Sequence, residues 1–140
     1  MTTIPVTLNP GATMPRRATA GAAGWDLTAT GNWYLDAGMT VTIRTGVHIA
    51  IPEGHVGLLA VRSSIGRRGI HLTNGAGVID SDYRGEILAN VHATRNAFIR
   101  EGERFAQLLI VPVLTADLVQ VDALDQTERG DGAFGSTGRA

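Results

Sequence analysis

Apolar and polar residues alternate in short runs along most of the chain. In 40–44 and again in 47–51, valine and isoleucine take every second position, and polar residues or alanine fill the others. Side chains of a strand point alternately to its two faces, so this alternation predicts half-buried β-strands. Turn residues separate the runs at intervals of about ten residues, which is typical of a β-sandwich or barrel. Further strands are predicted at 6–8, 25–27, 33–35, 56–61, 87–92 and 105–113.

The run 105–113 is apolar on both faces except at Gln107. Such a strand is expected to be covered on each side, by the core on one and by a candidate subunit interface on the other. A buried glutamine needs hydrogen-bond partners for its amide. Gln107 is therefore expected to be either a hydrogen-bond centre of the core or a ligand contact.

Length and composition indicate one globular domain. The chain has 140 residues, of which 44% are hydrophobic, and this is enough to build a core. Glycine occurs 18 times, a share that favours many tight turns and hence β-structure. The formal net charge is -1, so the chain offers no basic surface for nucleic acid.

Several residue types and segments are absent from the sequence. There is no cysteine, which excludes disulfides, thiolate catalysis and cysteine zinc sites. All twelve basic residues are arginine, which suits bidentate recognition of phosphate or carboxylate, although a base-composition bias of the genome is the simpler explanation for most of them. The first residues do not resemble a signal peptide, and no apolar run reaches the ~18 residues of a membrane span. A soluble, cytoplasmic protein without a membrane partner is expected.

The segment 74–87 interrupts the apolar pattern at the middle of the chain. It contains Asp80, Asp82, Tyr83, an arginine and three glycines. The pattern predicts a strand, a turn and a second strand. On pattern alone, either aspartate is a candidate for binding a metal or transferring a proton.

The segment 62–69 is a candidate anion site. It combines two serines, two glycines and three arginines. Hydroxyls and backbone N–H groups at the start of a helical turn bind phosphate well, although the same residues also suit an N-capped surface turn. Asp26, on the polar face of the run 25–27, is on its pattern alone a turn or surface carboxylate.

The C-terminal segment 127–140 has no hydrophobic periodicity. Its glycines at 130, 132 and 135 match G-x-G-x-x-G, but no helix or βαβ pattern follows, so a dinucleotide site is not indicated. With one aromatic ring, one arginine and two hydroxyls in 129–138, the segment is either a disordered tail or a lid that closes over a phosphate-bearing ligand.

Five segments of the chain together point to one family. They are 23–27, 62–64, 74–86, 102–107 and 129–138. Each alone would be modest evidence, but in this order and at this spacing they resemble the motifs of the trimeric deoxyuridine triphosphate pyrophosphatases (dUTPases). The resemblance spans nearly the whole chain.

The resemblance implies a fold, an assembly and a reaction. It implies an all-β, distorted jelly-roll (β-clip) domain at 1–126 and a flexible C-terminal arm at 127–140 that closes over an active site of a homotrimer. The active sites would be shared between subunits. The implied reaction is the hydrolysis of dUTP to dUMP and pyrophosphate with Mg²⁺, which keeps uracil out of DNA and supplies dUMP for thymidylate synthesis.

The resemblance also assigns roles around the central segment. Asp80 matches the carboxylate that orients and deprotonates the attacking water, and Tyr83 matches the ring that lies under the deoxyribose and leaves no room for a 2′-hydroxyl. Asp82 is then a turn or salt-bridge carboxylate. The uracil pocket is implied at Asn74, Gly77, Val78, Ile79 and Leu88.

Phosphate and metal contacts are implied in the other segments. Asp26 resembles the acid that contacts magnesium-bound water rather than the metal itself, and Phe134 matches the ring that stacks on uracil. The implied phosphate contacts are Arg62, Ser63, Ser64 and Gln107 and, in the arm, Arg129, Gly135, Ser136 and Thr137.

Two other functions are compatible with parts of this pattern. The related dCTP deaminases share the fold and the Arg-Ser-Ser motif, but they need a glutamate-centred pocket where this chain has Asp80 and Tyr83. A non-catalytic regulatory protein on the same scaffold is the second alternative, and a long insertion, which would favour it, is absent from the sequence.

Overall fold

The computed structural model describes residues 3–133, which form eleven β-strands and one short helix. No helix among these residues is long and apolar enough to cross a membrane. In chain order the elements are β1 (Val6–Leu8), β2 (Trp25–Thr28), β3 (Trp33–Leu35), β4 (Thr40–Arg44), β5 (Val47–Ile49), β6 (His55–Val61), α1 (Ser63–Gly66), β7 (Ile70–Leu72), β8 (Gly77–Ile79), β9 (Leu88–Ala93), β10 (Ala97–Ile99) and β11 (Arg104–Pro112).

The strands form two main antiparallel sheets. One has the order β2-β11-β6-β8 and the other β4-β9-β7, while β1 pairs with β5 and β3 with β10. A single core cluster contains Leu59 and Phe105 from the first sheet and Ile43 and Val91 from the second. Because the apolar faces of both sheets meet in this cluster, the predicted all-β fold is confirmed.

The long apolar run forms a strand, as predicted, and this strand lies inside the first sheet. β11 lies between β2 and β6, so that Gln107 is opposite Asp26 on one side and opposite Ala60 on the other. Phe105 and Leu108 of this strand are fully buried. The register therefore places Gln107 beside Asp26 on the same face of the sheet.

Two strands and one pairing differ from the sequence-based expectation. β7 and β10, of three residues each, were not predicted from the sequence. The two strands expected around 74–87 exist as β8 and β9, but they do not pair with each other. β8 pairs with β6, and β9 pairs with β4 and β7. The residues between them, 80–87, form a loop.

Two glycines allow β8 to approach β6. A Cβ atom at Gly57 would lie 2.7 Å from Ile51 Cδ1 and 3.0 Å from Ile79 Cβ, and a Cβ atom at Gly77 would lie 3.0 Å from Leu59 Cβ. Since real Cβ atoms essentially never approach closer than this, larger residues would push β8 away from its partner. The position of the loop that follows β8 depends on this contact.

After β11 the chain leaves the sheets. Residues 113–133 contain no helix or strand. Several large apolar side chains of this part are exposed, including Leu114 at 91% and Leu118 at 100% of the maximum. The division at residue 126 and the closing of the arm remain predictions.

Candidate active site

The first candidate cleft lies where β2, β11 and the end of β6 meet. The strand β6 ends at Val61, and the chain turns at Arg62 into α1, so this turn faces the Asp26–Gln107 pair of the neighbouring strands. The cleft has a volume of about 430 Å³. Of the predicted site residues it is lined by Asp26, Arg62, Ser63, Ser64 and Gln107.

Asp26 is a buried carboxylate held between two arginines. Its side chain is only 9% exposed. Arg62 Nε lies 3.0 Å from Oδ1, and Arg104 Nη1 lies 2.9 Å from Oδ2. A buried carboxylate is tolerated when it is paired and hydrogen-bonded in this way. The interpretation of Asp26 as a turn or surface carboxylate, made from its pattern alone, was wrong, because the residue lies within β2.

Gln107 lies at the wall of this cleft. It is half-buried, and its Oε1 atom would be only 3.2 Å from a Cβ atom placed at Gly24. Because Gly24 has no side chain, there is space for the amide of Gln107. Of the two roles left open for Gln107, the geometry favours a ligand contact.

The second candidate cleft is formed by β8, the loop after it and the start of β9. It has a volume of about 140 Å³ and is lined by Val78, Ile79, Asp80, Tyr83, Glu86 and Leu88. Asp80 is exposed at the end of β8 and begins a turn in which the Tyr83 N–H donates to the Asp80 carbonyl oxygen at 3.2 Å. A carboxylate and an aromatic ring thus face the same small cleft.

Tyr83 is fixed in this cleft from two directions. Its hydroxyl donates to the backbone carbonyl oxygen of Glu86 at 2.9 Å. Its ring lies against Gly85, where a Cβ atom would come within 2.5 Å of the ring carbon Cζ. Glycine at this position therefore permits the observed placement of the ring.

Glu86 ties the loop to the rest of the fold. Its carboxylate accepts hydrogen bonds from Arg44, with Nη2 to Oε2 at 2.6 Å, and from the Gly46 N–H at 2.8 Å. The hydrogen bond from Arg44 is the main reason why the pKa of Glu86 lies below its usual value, and burial opposes this shift. The carboxylate thus anchors the loop to the connection between β4 and β5.

Several expected residues lie at the edges of these clefts or outside them. Asn74 is exposed in the turn before β8, and Arg129 is exposed in a turn near the C-terminus. Asp82 lies in a turn and has no ion-pair partner among residues 3–133, so of its two expected roles the turn carboxylate is the one observed. The remaining arm residues Phe134, Gly135, Ser136 and Thr137 lie outside the described residues.

Three residues of the site were not assigned a role from the sequence. Arg104 contacts Asp26 from 78 positions away along the chain. Glu86 lies close to Tyr83 and is itself contacted by Arg44 from 42 positions away. The strand register that brings Arg44 to Glu86 and Arg104 to Asp26 is a long-range property. Glu86 and Arg104 lie within the motif segments 74–86 and 102–107, but the sequence did not assign either of them a role.

No group of three or more histidine or acidic side chains within residues 3–133 could hold a metal ion directly. The surroundings of Asp26 instead suit contact with a metal ion through a water molecule. Each carboxylate oxygen has about two acceptor sites, and the two arginines use one on each oxygen. Asp26 therefore retains lone pairs that a metal-bound water can reach, whereas direct coordination would compete with the arginines.

Comparison with known proteins identifies the family. A family model described as dUTPase matches residues 11–138. The chain belongs to the dUTPase family. The deoxyuridine 5′-triphosphate nucleotidohydrolase of Corynebacterium efficiens is 46% identical over 94% of this chain and 75% of its own length. The protein of the same name from Cutibacterium acnes is 43% identical over 89% of this chain and 85% of its own length.

A solved structure has the same fold. The dUTPase of Staphylococcus bacteriophage 80alpha, as a point mutant with dUpNHpp, superposes with a TM-score of 0.91 at 30% identity, covering 99% of this chain and all of that one. The jelly-roll fold expected from the sequence is confirmed by this match.

Proposed function

We propose that this enzyme, which hydrolyses dUTP to dUMP and pyrophosphate, divides the substrate between its two clefts. The cleft of Asp80 and Tyr83 takes the uracil and deoxyribose, and the cleft of Asp26 and Arg62 takes phosphates. The observation that carries the proposal is the placement of Asp80 and Tyr83 around one small cleft at the end of β8. A carboxylate and a ring in this arrangement supply the base and the sugar contact that the reaction needs.

Uracil is recognised at the free edge of β8. This strand is the last of its sheet, so the outer backbone groups of Gly77, Val78 and Ile79 have no strand partner. A backbone edge next to the side chain of Asn74 can match the donor and acceptor pattern of uracil. Leu88 closes the pocket from β9. A narrow slot of this kind excludes the amino group of cytosine and the methyl group of thymine.

Tyr83 selects the deoxyribose. The ring is held by the hydrogen bond of its hydroxyl to Glu86 and by its contact with Gly85. It therefore does not move aside to make space for a larger sugar. A 2′-hydroxyl would meet the ring face. The enzyme therefore discriminates against UTP by steric exclusion.

Asp80 is the general base. It accepts a proton from the attacking water as the phosphoanhydride bond is cleaved, and pyrophosphate leaves. A base must lie within hydrogen-bond reach of the water it activates, and Asp80 is exposed at the mouth of the cleft where such a water can bind. Positioning and charge neutralisation supply the remaining acceleration, as is general for phosphoryl transfer.

The phosphates are bound by the other cleft and by the arm. Arg62, Ser63, Ser64 and Gln107 offer a guanidinium, two hydroxyls and an amide on one wall. From the C-terminal arm, Phe134 stacks on uracil, and the further phosphate contacts come from Arg129, Gly135, Ser136 and Thr137.

Magnesium enters with the triphosphate. Mg²⁺ commonly binds substrate phosphates and keeps several waters, and when bound it neutralises developing charge. Asp26 accepts a hydrogen bond from a metal-bound water and does not coordinate the metal itself. A solved structure of a point mutant of the phage phi11 dUTPase, 28% identical to this chain at a TM-score of 0.81, reveals the coordination of a structural Mg(II) ion in that protein.

The active unit is a homotrimer with shared sites. Two observations support this. The two clefts have no lining residue in common, which suits a site in which two chains each contribute one cleft. The apolar side chains of the segment after β11, such as Leu114 and Leu118, are exposed in a single chain and suit burial against another copy. A cytoplasmic location remains a prediction from the sequence.

A nucleotide panel tests the proposal. Pyrophosphate release is measured with dUTP, UTP, dCTP and dTTP in the presence of magnesium, together with ammonia release from dCTP. Rapid release from dUTP alone is expected. Ammonia from dCTP would instead identify a deaminase, and dUTP binding without turnover would identify a regulatory protein.

A further inference from the structure

Arg104 contacts the phosphate cleft without lining it. This residue begins β11, and its guanidinium reaches across to β2, where Nη1 donates to Asp26 Oδ2 at 2.9 Å. Its side chain is 36% exposed, while the Asp26 side chain it contacts is only 9% exposed. A largely buried carboxylate therefore holds a second arginine in addition to Arg62.

The anchoring of Arg62 uses the same two residues. Arg62 Nε lies 3.0 Å from Asp26 Oδ1, and Arg62 Nη1 donates to the backbone carbonyl oxygen of Arg104 at 3.3 Å. Of the five N–H donors of this guanidinium, one is used in the hydrogen bond to Arg104, and Nε forms an ion pair with Asp26. The other N–H groups are available to a ligand. Both contacts that hold the guanidinium thus involve Asp26 or Arg104.

An irregularity in β11 makes this anchoring possible. The pairing of β11 with β2 shifts register between Arg104 and Ala106. Next to the shift, the carbonyl oxygen of Phe105 accepts from the Arg62 N–H at 2.9 Å, while that of Arg104 accepts from the Arg62 side chain. Bulges commonly re-aim groups beside active sites. Two successive carbonyl oxygens of β11 thus accept hydrogen bonds from Arg62.

Arg104 also limits how Asp26 can bind Arg62. An isolated carboxylate and a guanidinium favour a bidentate pair, in which both oxygens take donors from the same arginine. Arg104 donates to Oδ2 and so competes for this oxygen, while Arg62 contacts Asp26 through Oδ1 alone. Without Arg104, a second donor of Arg62 would meet no competitor at Oδ2, and that donor would be lost to the phosphates.

We propose that Arg104 is a positioning residue for substrate binding. By holding Asp26 Oδ2, and by its carbonyl oxygen, it fixes Arg62 so that the unused guanidinium N–H groups are presented to the phosphates of dUTP. This inference rests on the proposed phosphate contact of Arg62. It assigns Arg104 no contact with the substrate.

The test compares Arg104→Gln with Arg68→Gln. Arg68 is a matched control, because its side chain is also 36% exposed and it also pairs with a carboxylate, that of Glu103. Full-length variants are assayed for kcat, KM and binding of an α,β-imido analogue of dUTP, with thermal unfolding to confirm the fold. We expect Arg104→Gln to weaken analogue binding and raise KM about tenfold, in line with one charge-assisted hydrogen bond, with a much smaller change in kcat. Arg68→Gln should leave both unchanged.

A double variant separates positioning from direct contact. If Arg104 acts through Arg62, the Arg62→Gln/Arg104→Gln variant binds the analogue no more weakly than Arg62→Gln alone. Arg104→Lys, which keeps a donor for Asp26, should recover most of the affinity. Binding of deoxyuridine, which lacks phosphates, should be the same in all variants, whereas a merely structural role would weaken it too.

The outcomes distinguish the two levels of the proposal. If Arg62→Gln leaves analogue binding unchanged, Arg62 does not bind the phosphates, and the positioning role of Arg104 is overturned as well. If Arg62→Gln weakens binding but Arg104→Gln does not, only the positioning role is overturned. If the effects of the two substitutions multiply, Arg104 acts on the substrate or the fold directly, and the inference is again overturned.

Discussion

The Tyr83 hydroxyl donates a 2.9 Å hydrogen bond to the backbone carbonyl oxygen of Glu86, whose carboxylate is in turn bound by Arg44. The Tyr83 ring, which is proposed to select the sugar, is therefore connected through Glu86 to Arg44 on β4 of the second sheet. The loop between β8 and β9 has no secondary structure of its own, and these contacts determine its shape.

Removing the Tyr83 hydroxyl should loosen the ring without removing it. For Tyr83→Phe we expect kcat/KM for dUTP to fall up to about tenfold, because a net hydrogen bond contributes about 0.5–1.5 kcal/mol. The ratio of kcat/KM between dUTP and UTP should fall as well. Tyr34→Phe is the control, since Tyr34 is 74% exposed and stacks on Phe98 outside both clefts. An unchanged dUTP/UTP ratio in Tyr83→Phe would show that the hydrogen bond does not position the ring.

The Glu86 anchor should make stability depend on acid pH. Arg44 and the Gly46 N–H hold the pKa of Glu86 below its usual value of about 4.3. The folded protein thus binds the proton more weakly than the unfolded chain. The contribution of this carboxylate is fully present above the unfolded pKa and is lost as the pH falls through the folded pKa.

Denaturant unfolding of the wild type and of Glu86→Gln measures this effect. We expect the wild type to be the more stable protein at neutral pH. The difference in free energy of unfolding should shrink as the pH falls below the unfolded-state pKa of about 4.3 and through the lower pKa of the folded protein. A difference that stays constant across the acid range would mean that the charge of Glu86 does not stabilise the loop.

Shared active sites should allow two inactive chains to complement each other. Asp80→Asn damages the proposed base, and Arg62→Gln damages the proposed phosphate contact in the other cleft. Co-expressed chains assemble at random into mixed trimers, so about a quarter of the sites receive both intact residues from different chains. We expect about that fraction of wild-type activity at low dUTP concentration. If no activity returns although mixed trimers are isolated through two affinity tags, both clefts serve the substrate within one chain.

Removal of residues 128–140 tests the arm as a lid. The truncated protein lacks Arg129 and the remaining arm contacts, so dUTP turnover should be nearly lost while the trimer and the binding of dUMP are retained. The measurements are pyrophosphate release, light scattering and calorimetry. Full activity after truncation would rule out the closing arm.

Short apolar runs, many of them alternating with a period of two, and the turn residues between them were sufficient to predict the strands β1, β2, β3, β4, β5, β6, β9 and β11. The short strands β7 and β10 were missed. The candidate site residues came from motifs rather than from pattern. The sequence cannot show that Arg104 reaches Asp26, because that contact joins residues on neighbouring strands and depends on a register shift in β11.

The assignment of Asp80 as the base is the central claim, and the variant Asp80→Asn tests it most directly. Calorimetry with dUTP and a pyrophosphate assay are performed on Asp80→Asn and on Asp82→Asn, a matched change two positions along the same exposed turn. We predict that Asp80→Asn binds dUTP about as tightly as the wild type but loses turnover by about 10²–10⁴-fold, the usual contribution of a general base. Asp82→Asn should keep its turnover. Wild-type turnover in Asp80→Asn would contradict the account.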